Sequence, residues 1–151
     1  MARMQHLRRD VADGLKAMYA LETFLDGSEV PKGLLDLLRL RVSQLNGCSY
    51  CVDMHSRDAK KAGETDERLF AVAAWRESPH FTDAERAALG LAEAATRISD
   101  NPHGVPDDVW EQAREHFDEP ALGVLTLAIA AINAWNRINV INRTVAGGGA
   151  H

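Results

Sequence analysis

Apolar residues recur every three or four positions along most of the chain, the repeat of helices that each bury one face. Leu7, Val11, Leu15 and Met18 form such a stripe and predict a helix over about residues 5–24, broken at Gly27-Ser28. Pro31 suits a first helical turn and opens a second helix, with Leu34, Leu38, Val42 and Leu45 as its stripe and Asn46-Gly47 as its end. A third runs from about Cys48 to Ala62 and stops at Gly63. Thr65 caps a fourth to about Trp75, and Thr82-Asp83-Ala84-Glu85 is a capping box that opens a fifth to about Ser99. Pro106 with Asp107 and Asp108 starts a sixth, and Pro120 starts a long seventh to about Thr144. No stretch alternates β-branched and polar residues over a strand length. The prediction is an all-α single domain of six to seven helices over residues 1–146, with a flexible tail at 147–151.

Composition narrows the function classes. With 46% hydrophobic residues the chain is not intrinsically disordered, and at 151 residues it makes one ordinary domain. The net charge of −5 argues against a nucleic-acid partner, which a basic stripe would announce. The longest nearly unbroken apolar run, Ala121 to Ile132, is shorter than the roughly 20 residues of a membrane span. Met1 to Asp10 is charged and lacks the apolar core of a secretory signal, so a cytoplasmic protein without a membrane partner is expected. Leu122 to Ile132 is apolar nearly all round and needs cover on more than one side, for which subunit association is an economical means.

Candidate chemistry sits in Asn46-Gly47-Cys48-Ser49-Tyr50-Cys51-Val52-Asp53-Met54-His55. On a helix opening at Cys48, the two cysteine Cα atoms lie about 5 Å apart, inside the disulfide window. His55 falls about 40° round the helix from Cys51 and about 20° from Cys48, so all three side chains share a face. A disulfide across so short a loop stabilises by roughly 2 kcal/mol, which a domain of this size does not need. Three uses fit the trio: a redox-active dithiol, a metal site that offers only three ligands, and two buried structural thiols beside an unrelated histidine. The unpaired N–H groups of the helix start would favour a Cys48 thiolate, and His55 is spaced to take a proton from Cys51.

These residues resemble the alkylhydroperoxidase D–like and carboxymuconolactone decarboxylase proteins. The likeness runs through Arg41-Val42-Ser43-Gln44-Leu45-Asn46-Gly47-Cys48-Ser49-Tyr50-Cys51 and His55, and extends to Ala74-Trp75-Arg76-Glu77, Phe81 to Arg86, and Asn133 to Arg137. It implies an all-α bundle, homo-oligomers such as trimers or hexamers, and thiol-dependent reduction of hydroperoxides without a bound cofactor or metal. It also implies that Cys51 attacks the peroxide and Cys48 resolves, and that a thioredoxin-like or lipoyl-bearing protein regenerates the dithiol. The family places a glutamate of a proton relay twelve residues before the first cysteine. Here that position is Asp36, one methylene shorter, off the apolar stripe and directed towards Arg39 and Ser43. Asp36 is read either as a solvated acid or as the His55 relay partner. Two other functions are open to the family pattern: a lyase of the decarboxylase branch, and a dithiol binding protein switched by oxidation without turnover.

The remaining candidates read as structural. Arg41 lies within an apolar stripe and is expected to pair with an acid. Asn133, Asn136, Asn139 and Asn142 drift about 60° per step, which suits inter-helix or subunit hydrogen bonds more than one active face. His6, His80, His103, His116 and His151 have no ligand spacing and are expected at the surface.

Overall fold

Four of the helices begin where a side chain accepts one of their first free N–H groups, at Cys48, Thr65, Thr82 and Asp118. A computed structural model describes residues 1–147. They form eight α-helices: α1 (Leu7–Asp10), α2 (Ala12–Asp26), α3 (Lys32–Leu45), α4 (Ser49–Lys61), α5 (Asp66–Ala71), α6 (Asp83–Thr96), α7 (Asp107–His116) and α8 (Glu119–Asn142). Short 3₁₀ turns follow α5 at Val72–Ala74 and α6 at Ile98–Asp100, and there is no strand among the described residues. At Thr82 the capping box is complete: Glu85 N–H donates to the Thr82 hydroxyl (3.2 Å), and Thr82 N–H donates to the Glu85 carboxylate (2.9 Å). The last helix starts one residue before Pro120, because Asp118 accepts the Ala121 N–H at 3.0 Å.

The first predicted helix is two. Val11, placed in its stripe, is 46% exposed and breaks the helix with φ −121°. The segment before it is drawn to α8 instead: Arg3 N–H donates to the Asn142 carbonyl (2.8 Å) and Met4 N–H to its side-chain oxygen (2.7 Å). The predicted tail lies outside the described residues from Gly148 onward, while Gly147 N–H donates to Asp53 at 3.1 Å.

α3 is the central element. Every residue from Leu34 to Leu40 is buried, so this helix faces two apolar clusters rather than the single stripe predicted. Leu35, Leu38 and Val42 join α6 and α8, while Leu37 and Leu40 pack with Trp75, Phe81 and Leu89. Each such leucine contributes about 1.5–3 kcal/mol of burial. α8 is long and apolar enough to cross a membrane by length and composition, yet half of its most apolar stretch is buried against the chain's own helices. Part of the cover that this stretch needs is therefore supplied within the chain. Leu127 is the large residue of its central stretch left 43% exposed.

Candidate active site

A buried helix that carries charge must pair it, and α3 carries Lys32, Asp36 and Arg39. Asp36 is 3% exposed, which overturns its reading as a solvated acid. Lys32 Nζ donates to both of its oxygens at 3.0 Å, and Arg39 donates to one at 3.3 Å. The Arg39 guanidinium also donates to Asp26 (2.9 Å) and Glu22 (2.7 Å) on α2. Burial works against its charge, but Glu22 foremost, then Asp26, hold its pKa above the usual arginine value. The second Glu22 oxygen accepts the Trp135 indole N–H at 3.0 Å, which ties α2 to α8.

The turn into α4 sets the sulfurs. Gly47 adopts φ +66°, with its N–H donating to the Gln44 carbonyl, and Cys48 N–H donates to the Ser43 carbonyl. This paired closure of α3 requires a left-handed residue, which glycine supplies at least cost. Cys48 then caps α4, its sulfur accepting the Cys51 N–H at 3.3 Å. The loop is anchored to α8 by Asn46, which donates to Asn133 (3.0 Å) and Asn136 (2.9 Å). Asn136 in turn donates to the buried Ser43 hydroxyl at 3.0 Å.

Cys48 and Cys51 are joined as a disulfide with Cα atoms 5.3 Å apart, as the helical spacing predicts. Both are buried, Cys51 at 1% exposure. Cys51, His55 and Asp36 line one cleft of about 200 Å³ bounded by α2, α3, α4 and α8, together with Arg39, Glu22 and Trp135. Cys48 lines a separate hollow with Val140 and Arg143. His55 is half-buried, and its pKa falls to about 4, mainly through burial and next through the nearby Arg39 charge. It is therefore a neutral imidazole at neutral pH, with an unprotonated ring nitrogen but a weaker affinity for a proton than a solvated histidine. Among the described residues it has no hydrogen bond with Asp36, whose oxygens are held by Lys32 and Arg39.

Several site residues escaped the sequence reading, among them three that touch Arg39 or Cys51. Glu22 and Asp26 come from the helix whose acids gave no signal, and Asn139 was assigned to helix contacts only. Its side-chain amide instead donates to Cys51 Sγ at 3.6 Å. Its partners at 133 and 136 do make the predicted inter-helix bonds. Arg41 takes no part: its guanidinium donates to Glu93 at 2.7 Å, as the acid pairing anticipated. His6, His80, His103 and His116 are exposed; His151 lies outside the described residues. No group of three or more metal-ligating side chains is gathered among the described residues.

An all-helical fold with Cys-x2-Cys-x3-His at the head of one helix, opening on a polar cleft, defines an alkylhydroperoxidase D–like dithiol protein. The chain belongs to the carboxymuconolactone decarboxylase family, whose profile matches residues 9–94. It is 41% identical over 128 residues to the uncharacterized protein YdfG of Bacillus subtilis, covering 85% of this chain and 86% of that protein. To the uncharacterized protein YnjA of Escherichia coli it is 36% identical over 126 residues, covering 80% and 68%. The crystal structure of ATU0492 from Agrobacterium tumefaciens, a protein of unknown function whose name links it to the antioxidant defence protein AhpD, superposes with a TM-score of 0.92. That match has 36% identity and covers 99% of this chain and 100% of the other.

Proposed function

We propose that the chain is a thiol-dependent peroxidase that reduces small organic hydroperoxides through a Cys48–Cys51 dithiol cycle. The observation that carries this reading is the placement of Cys51 and a neutral His55 in one cleft, with a second sulfur already within bonding geometry. His55 takes the Cys51 proton, the thiolate attacks the outer peroxide oxygen, and the O–O bond breaks. The proton passes to the leaving alkoxide, which departs as the alcohol, and Cys51 is left as a sulfenic acid. The Cys48 thiol displaces hydroxide from that sulfur, with its own proton completing water, and the disulfide forms. A dithiol reductant of the thioredoxin-like or lipoyl class returns both sulfurs to thiols by exchange. Asp36 acts as a positioning residue in this scheme: with Glu22 and Asp26 it fixes Arg39, whose charge adds to the larger effect of burial in lowering the His55 pKa.

Self-association into a trimer or hexamer belongs to the same proposal, supported by Leu127, which the apolar middle of α8 leaves 43% exposed. The test is single-turnover oxidation of the reduced protein by cumene hydroperoxide, following alcohol release and thiol loss. Cys51→Ser should lose oxidation by at least about a hundredfold. Cys48→Ser should turn over once and stop at a trappable sulfenic acid. Peroxide consumption at the parent rate by both variants rules the cycle out.

A further inference from the structure

The cleft has two chemically distinct ends, ordered by the helices that bound it. Along α2 the lining residues run Tyr19, Glu22, Asp26; along α4 they run Tyr50, Cys51, His55, Asp58. The far end holds the carboxylates, with Glu22, Asp26 and Asp36 locked onto Arg39 and Lys32. The near end, one residue from the attacking sulfur, holds Arg8. Its guanidinium donates from Nη1 to the Tyr19 hydroxyl and from Nη2 to the Tyr50 hydroxyl, both at 3.2 Å.

Arg8 has no carboxylate partner among the described residues, unlike Arg39 in the same cleft. Each phenol oxygen accepts from Arg8, so each phenol O–H is left to donate elsewhere. Three donor groups thus meet at the mouth with no carboxylate of the described residues bound to Arg8, an arrangement suited to a planar oxyanion. The Tyr19 ring is held against Trp135 with centroids 5.2 Å apart, which gives the path from Arg8 to Cys51 an aromatic wall.

We propose that Arg8, Tyr19 and Tyr50 form a carboxylate receptor, and that the substrates are small hydroperoxides bearing a carboxylate. At the far end Arg39 and Lys32 are already occupied by carboxylates of the chain, which leaves the Arg8 end as the seat for an anion, with the peroxide directed at Cys51. A cleft of about 200 Å³ limits the substrate to something smaller than a drug-sized ligand. The reaction half of this inference rests on the peroxidase reading; the binding half does not.

Calorimetry on the oxidised protein compares 4-isopropylbenzoate with its neutral isostere, 4-isopropylbenzamide. The acid should bind about tenfold more tightly, a modest factor because Arg8 is exposed. Arg8→Gln should bring the ratio close to one, and Arg8→Lys should keep part of it. The second arm compares kcat/KM for cumene hydroperoxide and its 4-carboxy derivative, with the same preference lost in Arg8→Gln. Equal binding of acid and amide by the parent, or a preference surviving in Arg8→Gln, overturns the receptor. Arg8-dependent acid binding with neither hydroperoxide reduced overturns the peroxidase reading and leaves the receptor standing. Equal turnover of both hydroperoxides, in parent and variant alike, overturns the receptor and leaves the peroxidase.

Discussion

Cys51 Sγ accepts from Asn139, and a thiolate accepts that amide more strongly than a thiol does. Asn139→Ala should therefore raise the Cys51 thiol pKa by about one unit and slow peroxide reduction about tenfold at neutral pH. Titration of thiolate absorbance in the Cys48→Ser background, alongside the pH–rate profile, checks this; an unmoved titration with a slower rate would assign Asn139 to substrate positioning alone. The trio of Cys48, Cys51 and His55 was legible in the sequence because one helix carries all three within eight residues. Asn139, Glu22, Asp26 and Arg8 were not, since folding brings them in from 25 to 90 residues away on helices whose periodicity reports only the core. Asp36 was found through resemblance, but its burial and its pairing with Lys32 and Arg39 depend on α3 being enclosed on both faces.

At the scale of elements, the α3–α4 junction couples stability to chemistry, since one glycine closes the first helix and positions the cap of the next. Gly47 has open space around the site of a Cβ, so substitution is penalised by its φ of +66° and not by a clash. Gly47→Ala should destabilise by about 1 kcal/mol, the left-handed strain exceeding the entropy gained in the unfolded chain. Urea unfolding measures that loss, and an unchanged midpoint would mean the turn relaxes to another closure. Helix starts were the most legible feature, because Thr65 and Thr82 cap through contacts only three residues long. The break at Val11 was not, because it depends on Arg3 and Met4 reaching Asn142, almost the whole chain away. Nor was the double-faced α3, where five leucines in the seven positions from 34 to 40 read as one stripe until neighbours appeared on both sides.

The molecule as a whole stores its site's electrostatics as a dependence of stability on pH. His55 titrates near 4 in the fold and near 6.5 when unfolded, so between those values the unfolded chain binds more protons. Stability from this group is therefore complete above about pH 6.5, declines as pH falls towards 4, and is constant below. A gap of about 2.5 units corresponds to roughly 3 kcal/mol across that window. Glu85 and Glu93 also lose stability on acidification, since Arg68 and Thr82 hold one low, and Trp75 and Arg41 the other, against the opposing effect of burial. Their loss begins within the ordinary carboxylate range, at about pH 5 and below, so above that pH the decline belongs to His55. Urea unfolding of the oxidised protein between pH 7 and 5 should fall by about 2 kcal/mol in the parent. In His55→Gln it should stay nearly flat over the same interval, with the steep loss deferred to more acid pH. Parallel curves for the two proteins would mean that His55 is solvated in the fold and titrates at its ordinary value, so that the cleft does not bury it as the structure shows.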